Sequence, residues 1–385
     1  MCSERVAVHA VPVGIGGEAE ATVGGALPPL PKKLQKRHKN VPPHNHFPSK
    51  CLVSPEKSST FAPTNPTTLL VARPADQGGT FLLYMEYTKQ PITLAEQINI
   101  LKQRGLTFED ENAALRILSQ ISYFRLASYW RVMEENSRIH RFRSGSYFSA
   151  VLSLYTFDSE LRSLVFNALQ HIEIASRTKI NQHFAMTYGP FWFMDASLAA
   201  NEYHFNKNLE SLRMELTRCH DEFIQEHFRK YDSPEFPPSW KTLEVASFGT
   251  LSKLYKNMND FDLMKRVARD FDMPQHEYLR SWLESLTIVR NYCAHHARLW
   301  NAHFAVRPKI TSRMRQRWIS NFNFPNDRLY PQLCCIAYWL NSINPQNTFV
   351  QDFKSLLTKY PSVQPSMMGF PRGWENEPLW QRISL

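Results

Sequence analysis

The chain has 385 residues, 43% of them hydrophobic and 13% aromatic, and a formal charge of +10; that length suits one large domain or two ordinary ones, and the basic balance favours a polyanionic partner. No apolar run approaches the roughly 20 residues that span a bilayer, and the N-terminus lacks the apolar core of a secretory signal, which excludes an integral membrane protein. The six cysteines (Cys2, Cys51, Cys219, Cys293, Cys334 and Cys335) include no CxxC pair, which suggests neither a zinc ribbon nor a disulfide framework and fits a reducing cytoplasm.

Residues 1–84 differ from the rest. They hold 11 of the 25 prolines and 7 of the 13 glycines, with a basic stretch from Lys32 to Lys39. Such a segment buries too little surface to offset its ordering entropy and is expected to be disordered. It reads either as a basic RNA-binding arm or as an extension from a start assigned too early. The second reading is preferred, with Met85 as initiator, because Met85-Glu86-Tyr87-Thr88 leads straight into ordered-looking sequence. Residues 85–385 then form the folded domain.

From residue 91 the pattern is helical. Thr93-Leu94-Ala95-Glu96 is a capping box and Gly105 a stop. A second helix is expected from about Asn112 to Ser122, entered through Asp110, and a third from Tyr123 to about Met133. Glu134 to Gly145 reads as a short hairpin. A long amphipathic helix begins near Ser146, carries Leu161, Leu164, Val165, Ala168, Leu169 and Ile172 on one face, and ends at Gly189-Pro190. The next is expected as one helix from about Tyr203 to Tyr231. Shorter helices follow over Ser239–Ser247, Thr250–Met258 and Asp260–Arg269. One opened by Pro274 carries Trp282, Leu283, Leu286 and Val289 onward, and two more cover about Tyr330–Asn341 and Asn347–Lys359. Strand signals are weak, and the fold class is all-α.

The run Val289 to Asn301 carries the chemistry. It places a permanent cation, Arg290, an amide, Asn291, and two imidazoles, His295 and His296, within a few turns and with no acidic residue among them. Arginine stabilises a pentavalent phosphate and histidine moves protons near neutral pH, the two tasks of metal-free RNA cleavage. Asn291 and His295, four apart, share a helix face. Arg290 lies on another azimuth, so the helix must end or distort there, or a second subunit must complete the site. The bland reading is a helix end whose basic residues complement the carbonyl dipole. It accounts for an Arg or a His, and less well for an Asn and two adjacent histidines. A metal site at Cys293, His295, His296 and His303 is disfavoured by its spacing, and no cofactor is implied.

In the long helix, Glu173, Arg177 and Asn181 are each four apart, near His171 and His183. A solvated ladder is the better reading for Asn181 and His183, and a role lining the site opposite Arg290 for Glu173 and Arg177. The segment Tyr123 to Arg131 interleaves rings with arginines; base stacking is open to it, but core is favoured.

Taken in order, several blocks resemble the bacterial abortive-infection proteins of the AbiD/AbiF type, in the HEPN superfamily. They are Gln97 to Gly105, Tyr123-Phe124-Arg125-Leu126 with Tyr129-Trp130, Tyr155 to Arg162, Ile172 to Thr178, Tyr188 to Trp192, Pro238-Ser239-Trp240, Glu244 to Ser252, Val289 to Asn301, and Met368 to Pro371 with Pro378-Leu379-Trp380. The resemblance covers about residues 88–380. It implies a HEPN-type helical bundle with additional N- and C-terminal helices, dimerising through the motif helices, and defence against phage by RNA cleavage. Arg290, Asn291 and His295 match the Arg-Asn-x-x-x-His positions, with His296 in reserve. Members have been linked to a partner noncoding RNA, so the alternative is a non-catalytic RNA-binding protein that carries such an RNA. The discriminating feature is the His pair, which pure binding does not need.

Overall fold

The computed structural model describes residues 70–74, 81–85 and 89–381, all within the unit formed by residues 57–385. Most of the segment expected to be disordered, 1–84, lies outside the described residues. Within it, Leu70–Pro74 (β1) and Phe81–Met85 (β2) pair antiparallel, Leu70 opposite Met85 and Pro74 opposite Phe81. There the expected lack of regular structure fails. The composition of the whole segment masked two short apolar stretches, residues 69–72 and 81–84.

The described residues form twelve α-helices, the all-α class expected. Thr93 and Glu96 make the reciprocal capping box of α1 (Leu94–Gln103), and Gly105, at φ 98°, follows its end. Asp110 caps α2 (Glu111–Gln120). Ser122 caps α3 (Tyr123–Trp130), whose Tyr123, Leu126, Tyr129 and Trp130 are buried. A two-stranded hairpin follows, Glu134–Asn136 (β3) with Arg141–Phe142 (β4).

The central spine is α4, Phe148–Tyr188, about 60 Å long at 1.5 Å per residue. Its apolar stripe runs from Leu154 through Leu161, Val165, Leu169 and Ile172 to Phe184, all buried. The remaining helices are α5 (Glu202–Arg218), α6 (Glu222–Lys230), α7 (Ser239–Val245), α8 (Phe248–Lys256), α9 (Phe261–Arg269), α10 (His276–Ala294), α11 (Leu329–Ile343) and α12 (Phe349–Lys359). The single helix expected from Tyr203 to Tyr231 is therefore two. Asp221 adopts extended backbone and heads the acidic first turn of α6, a start signal that apolar periodicity alone does not carry.

α3, α7, α9, α10, α11 and α12 all pack on α4. α11 is buried at every position from Leu329 to Leu340, as a helix apolar all round must be. Residues 361–381 return as short turns whose rings close over it: Phe370, Trp374 and Trp380 pack on Phe353 and on one another, with Tyr330 below. No helix among the described residues is long and apolar enough to cross a membrane.

Candidate active site

The motif lies on the last turns of α10, whose Leu279, Trp282, Leu283, Leu286, Val289 and Cys293 are buried against α4 and α8. That apolar stripe sets the rotation of the helix and brings Arg290 to the α4 side. Arg290 Nε lies 3.5 Å from Glu173 Oε2, and its Cζ stands 6.0 Å from the centre of the Phe166 ring. Glu173, 9% exposed, gives its other oxygen to Arg177 Nη2, which also donates to the Ala246 carbonyl at 2.8 Å. One buried carboxylate thus holds two guanidiniums, one a turn along its own helix and one across the α4–α10 contact. Glu173 reaches Arg290 directly, and Arg177 is linked to it only through that carboxylate.

The Arg290 contact is charge rather than hydrogen bond: Nε is buried with no hydrogen-bond partner, and 3.5 Å is too long for one of good strength. Its Nη atoms bond to no other described residue, and the side chain is 32% exposed. The cation is anchored on its inner side and available on its outer.

The helix ends where the motif requires. Ala294 is its last residue and His295 the C-cap. His296 follows at φ 56°, donating its backbone N–H to the Cys293 carbonyl at 3.1 Å while Ala297 N–H reaches Tyr292 O at 2.8 Å. This is a Schellman turn with histidine in the position that glycine usually takes. Both imidazoles are exposed and form no hydrogen bond to any described residue. The arrangement can bind a phosphate oxyanion through Arg290 and move protons through the imidazoles. Within the described residues, however, no contact joins His295 or Asn291 to the Glu173–Arg177–Arg290 group.

Asn181 and His183 do not extend that group into a ladder. Asn181 Oδ1 accepts from Trp192 Nε1 at 3.3 Å, and His183 pairs with Asp270 at 2.8 Å. Both turn to neighbouring elements because α4 is packed on several sides there, where a solvated face was expected. The four candidate metal ligands also part. Cys293 is buried, its thiol pushed up to about 12 by burial, His303 bonds Asp327 at 2.8 Å, and no metal-holding group of three or more such side chains occurs among the described residues. Of the aromatic segment, the core reading holds for Tyr123, Tyr129 and Trp130 and fails for Phe124, which is 64% exposed.

Asp158, fully buried, was missed. It accepts from Tyr129 Oη at 2.7 Å, from Arg162, and from the backbone N–H groups of Leu299 and Trp300 at 3.0 and 2.6 Å. Burial pushes its carboxyl up, and these donors pull it down. It moors the segment that leaves the motif to the spine. Two arginines fasten the same segment to α3: Arg125 donates to His296 O at 2.7 Å, and Arg298 donates to Ser128 O. The available signal was an acid in an apolar stripe, Leu154-x-x-x-Asp158-x-x-Leu161.

Residues 116–301 match the family described as Abi-like protein. No curated protein and no solved structure matches the chain.

Proposed function

We propose that this chain, whose residues 116–301 match the Abi-like family, is a phage-defence, abortive-infection protein of HEPN type that acts as a metal-independent endoribonuclease. The observation that carries the proposal is Arg290 held by buried Glu173, close in sequence to two exposed imidazoles at the end of the same helix. His295 takes the proton of a ribose 2′-hydroxyl. That oxygen bonds to the adjacent phosphorus as the bond to the 5′-oxygen breaks, and a second imidazole gives the leaving oxygen its proton. Arg290 carries the charge that builds on the phosphoryl oxygens, and Asn291 orients the same phosphate. The products are a 2′,3′-cyclic phosphate and a 5′-hydroxyl. Glu173 and Arg177 are positioning residues, because they act through Arg290.

Arg290 and His295 are not joined within one chain. A symmetric dimer that apposes two motif helices supplies the missing acid or base from the partner subunit. The test is cleavage of total RNA in EDTA. Arg290→Ala and His295→Ala are each expected to lower the rate about 10²–10³-fold. Equal cleavage by wild type and both variants overturns the proposal. The same separation favours a second reading, an RNA-binding protein that carries a partner noncoding RNA without cutting. RNA of defined length that copurifies, with phage protection that survives His295→Ala, selects that reading.

A further inference from the structure

The segment that leaves α10 is bonded to α3 in both directions. Arg125, in the first turn of α3, donates through Nη1 to the His296 carbonyl at 2.7 Å, and Arg298 donates to the carbonyl of Ser128, in the last turn of α3. The two arginines serve carbonyls at or just beyond the C-terminal ends of both helices, where intrahelical donors run out. Arg125 is a fixed arm because α3 is itself fixed. Leu126, Tyr129 and Trp130 are buried, and Ser122 Oγ accepts from the Arg125 backbone N–H at 3.3 Å. Tyr129 donates to Asp158 at 2.7 Å, the carboxylate that also receives Leu299 and Trp300.

The bond from Arg125 falls on one particular peptide. The group between His296 and Ala297 gives its N–H to Tyr292 O at 2.8 Å and takes the Arg125 guanidinium on its carbonyl. Bonds at its two opposite poles fix its plane, and a peptide is rigid within that plane. The outer bond carries charge, so it is the stronger kind. The preceding peptide gives its own N–H to Cys293 O at 3.1 Å. His296 is therefore clamped between two set planes at φ 56°, a region disfavoured for any residue with a side chain. Released from Arg125, that peptide can relax toward ordinary backbone, and the exposed imidazoles beside it shift with it.

We propose that Arg125 is a positioning residue of the candidate site: it holds the turn at His296 and thereby sets how the imidazoles of His295 and His296 leave the end of α10. Its effect on rate rests on the endoribonuclease reading above; its hold on the turn does not. Arg125→Met keeps the length of the side chain and removes its donors, and Arg125→Lys keeps one charged donor. Both alter an exposed side chain, and a thermal melt checks that they fold.

The test has two readouts on the full chain. In amide hydrogen exchange, Arg125→Met is expected to speed exchange at Ala297 roughly 10-fold and to leave buried Leu283 of α10 unchanged. In single-turnover cleavage of total RNA in EDTA, it is expected to lower the rate about 10–100-fold. Affinity for the same RNA, measured in the His295→Ala background, is expected to stay as it was. Arg125→Lys is expected to restore much of both losses, and Lys230→Ala, on α6, to change nothing.

Exchange at Ala297 that stays at the wild-type rate overturns the inference, whatever happens to cleavage. Affinity that falls while the rate on bound RNA holds also overturns it, because Arg125 is then a phosphate contact. Faster exchange with undiminished cleavage overturns the positioning role, since the chemistry does not depend on the turn. In each of these cases a wild type that cuts RNA in EDTA leaves the endoribonuclease reading standing. If wild type cuts no RNA, that reading falls, whereas faster exchange in Arg125→Met still upholds the hold on the turn.

Discussion

His296 carries the backbone strain of the candidate site. A side chain in the left-handed region, here at φ 56°, costs roughly 1–2 kcal/mol, part of which glycine recovers before its own extra chain entropy is counted. His296→Gly is therefore expected to stabilise the fold by about 0.5–1 kcal/mol, measured by urea denaturation; a loss of stability would show that the imidazole makes a contact worth more than the strain. Asp158 presents the opposite case. Replacing it by alanine strands Arg162, the Tyr129 hydroxyl and two backbone N–H groups in the interior, and removing one partner of a buried charged pair costs about 3–5 kcal/mol. Asp158→Ala is expected to lower stability by that amount, and a denaturation midpoint near that of wild type would mean that Arg298 and Arg125 moor the segment by themselves.

The element that bears the motif is also expected to be sensitive to acid. His276, at the start of α10, is 7% exposed and lies 5.2 Å from the Phe261 ring, centre to centre. Burial depresses its pKa, and Arg280 and Lys265 add to that against Glu277. A histidine depressed in the folded state binds its proton more readily once unfolded. Its contribution is whole above the unfolded value, about 6.5, and is lost as pH falls through that value toward the folded one. The denaturation midpoint is expected to drop between pH 7 and pH 5, and His276→Gln to flatten part of that drop; an equal slope in the variant would assign the effect elsewhere, His227 being depressed by burial as well. Elements of this kind were largely legible in the sequence. Thr93 and Glu96, Asp110, Gly105 and Gly189 are local signals that act through their own backbone, and the stripe from Leu161 to Ile172 follows from helical periodicity. The Cys219–Asp221 break was not legible, because the apolar pattern continues across it in Leu216 and Phe223. In the site, the Glu173–Arg290 contact could be anticipated from spacing and charge. Asp158 serves the motif from more than 130 positions away, a pairing that no local pattern contains.

For the whole molecule, the separation of Arg290 from His295 sets an expectation about assembly. If two chains complete the cleft, light scattering is expected to show a dimer at concentrations where RNA is cut, and mixing Arg290→Ala with His295→Ala chains is expected to restore part of the activity through heterodimers. A monomer that cleaves at full rate would overturn the shared site. The way the body closes has a consequence for how the protein is made. Glu160, in the spine, receives Lys359 at 2.7 Å and the Tyr360 hydroxyl at 2.7 Å, and the rings of Phe370, Trp374 and Trp380 seal α11. Every residue assigned to the site has been translated by residue 298, whereas α11 and α12, which complete the packing on α4, come after it. A nascent chain that has grown just past Arg298 therefore holds all the candidate side chains before the last helices of the frame that aligns them have been added.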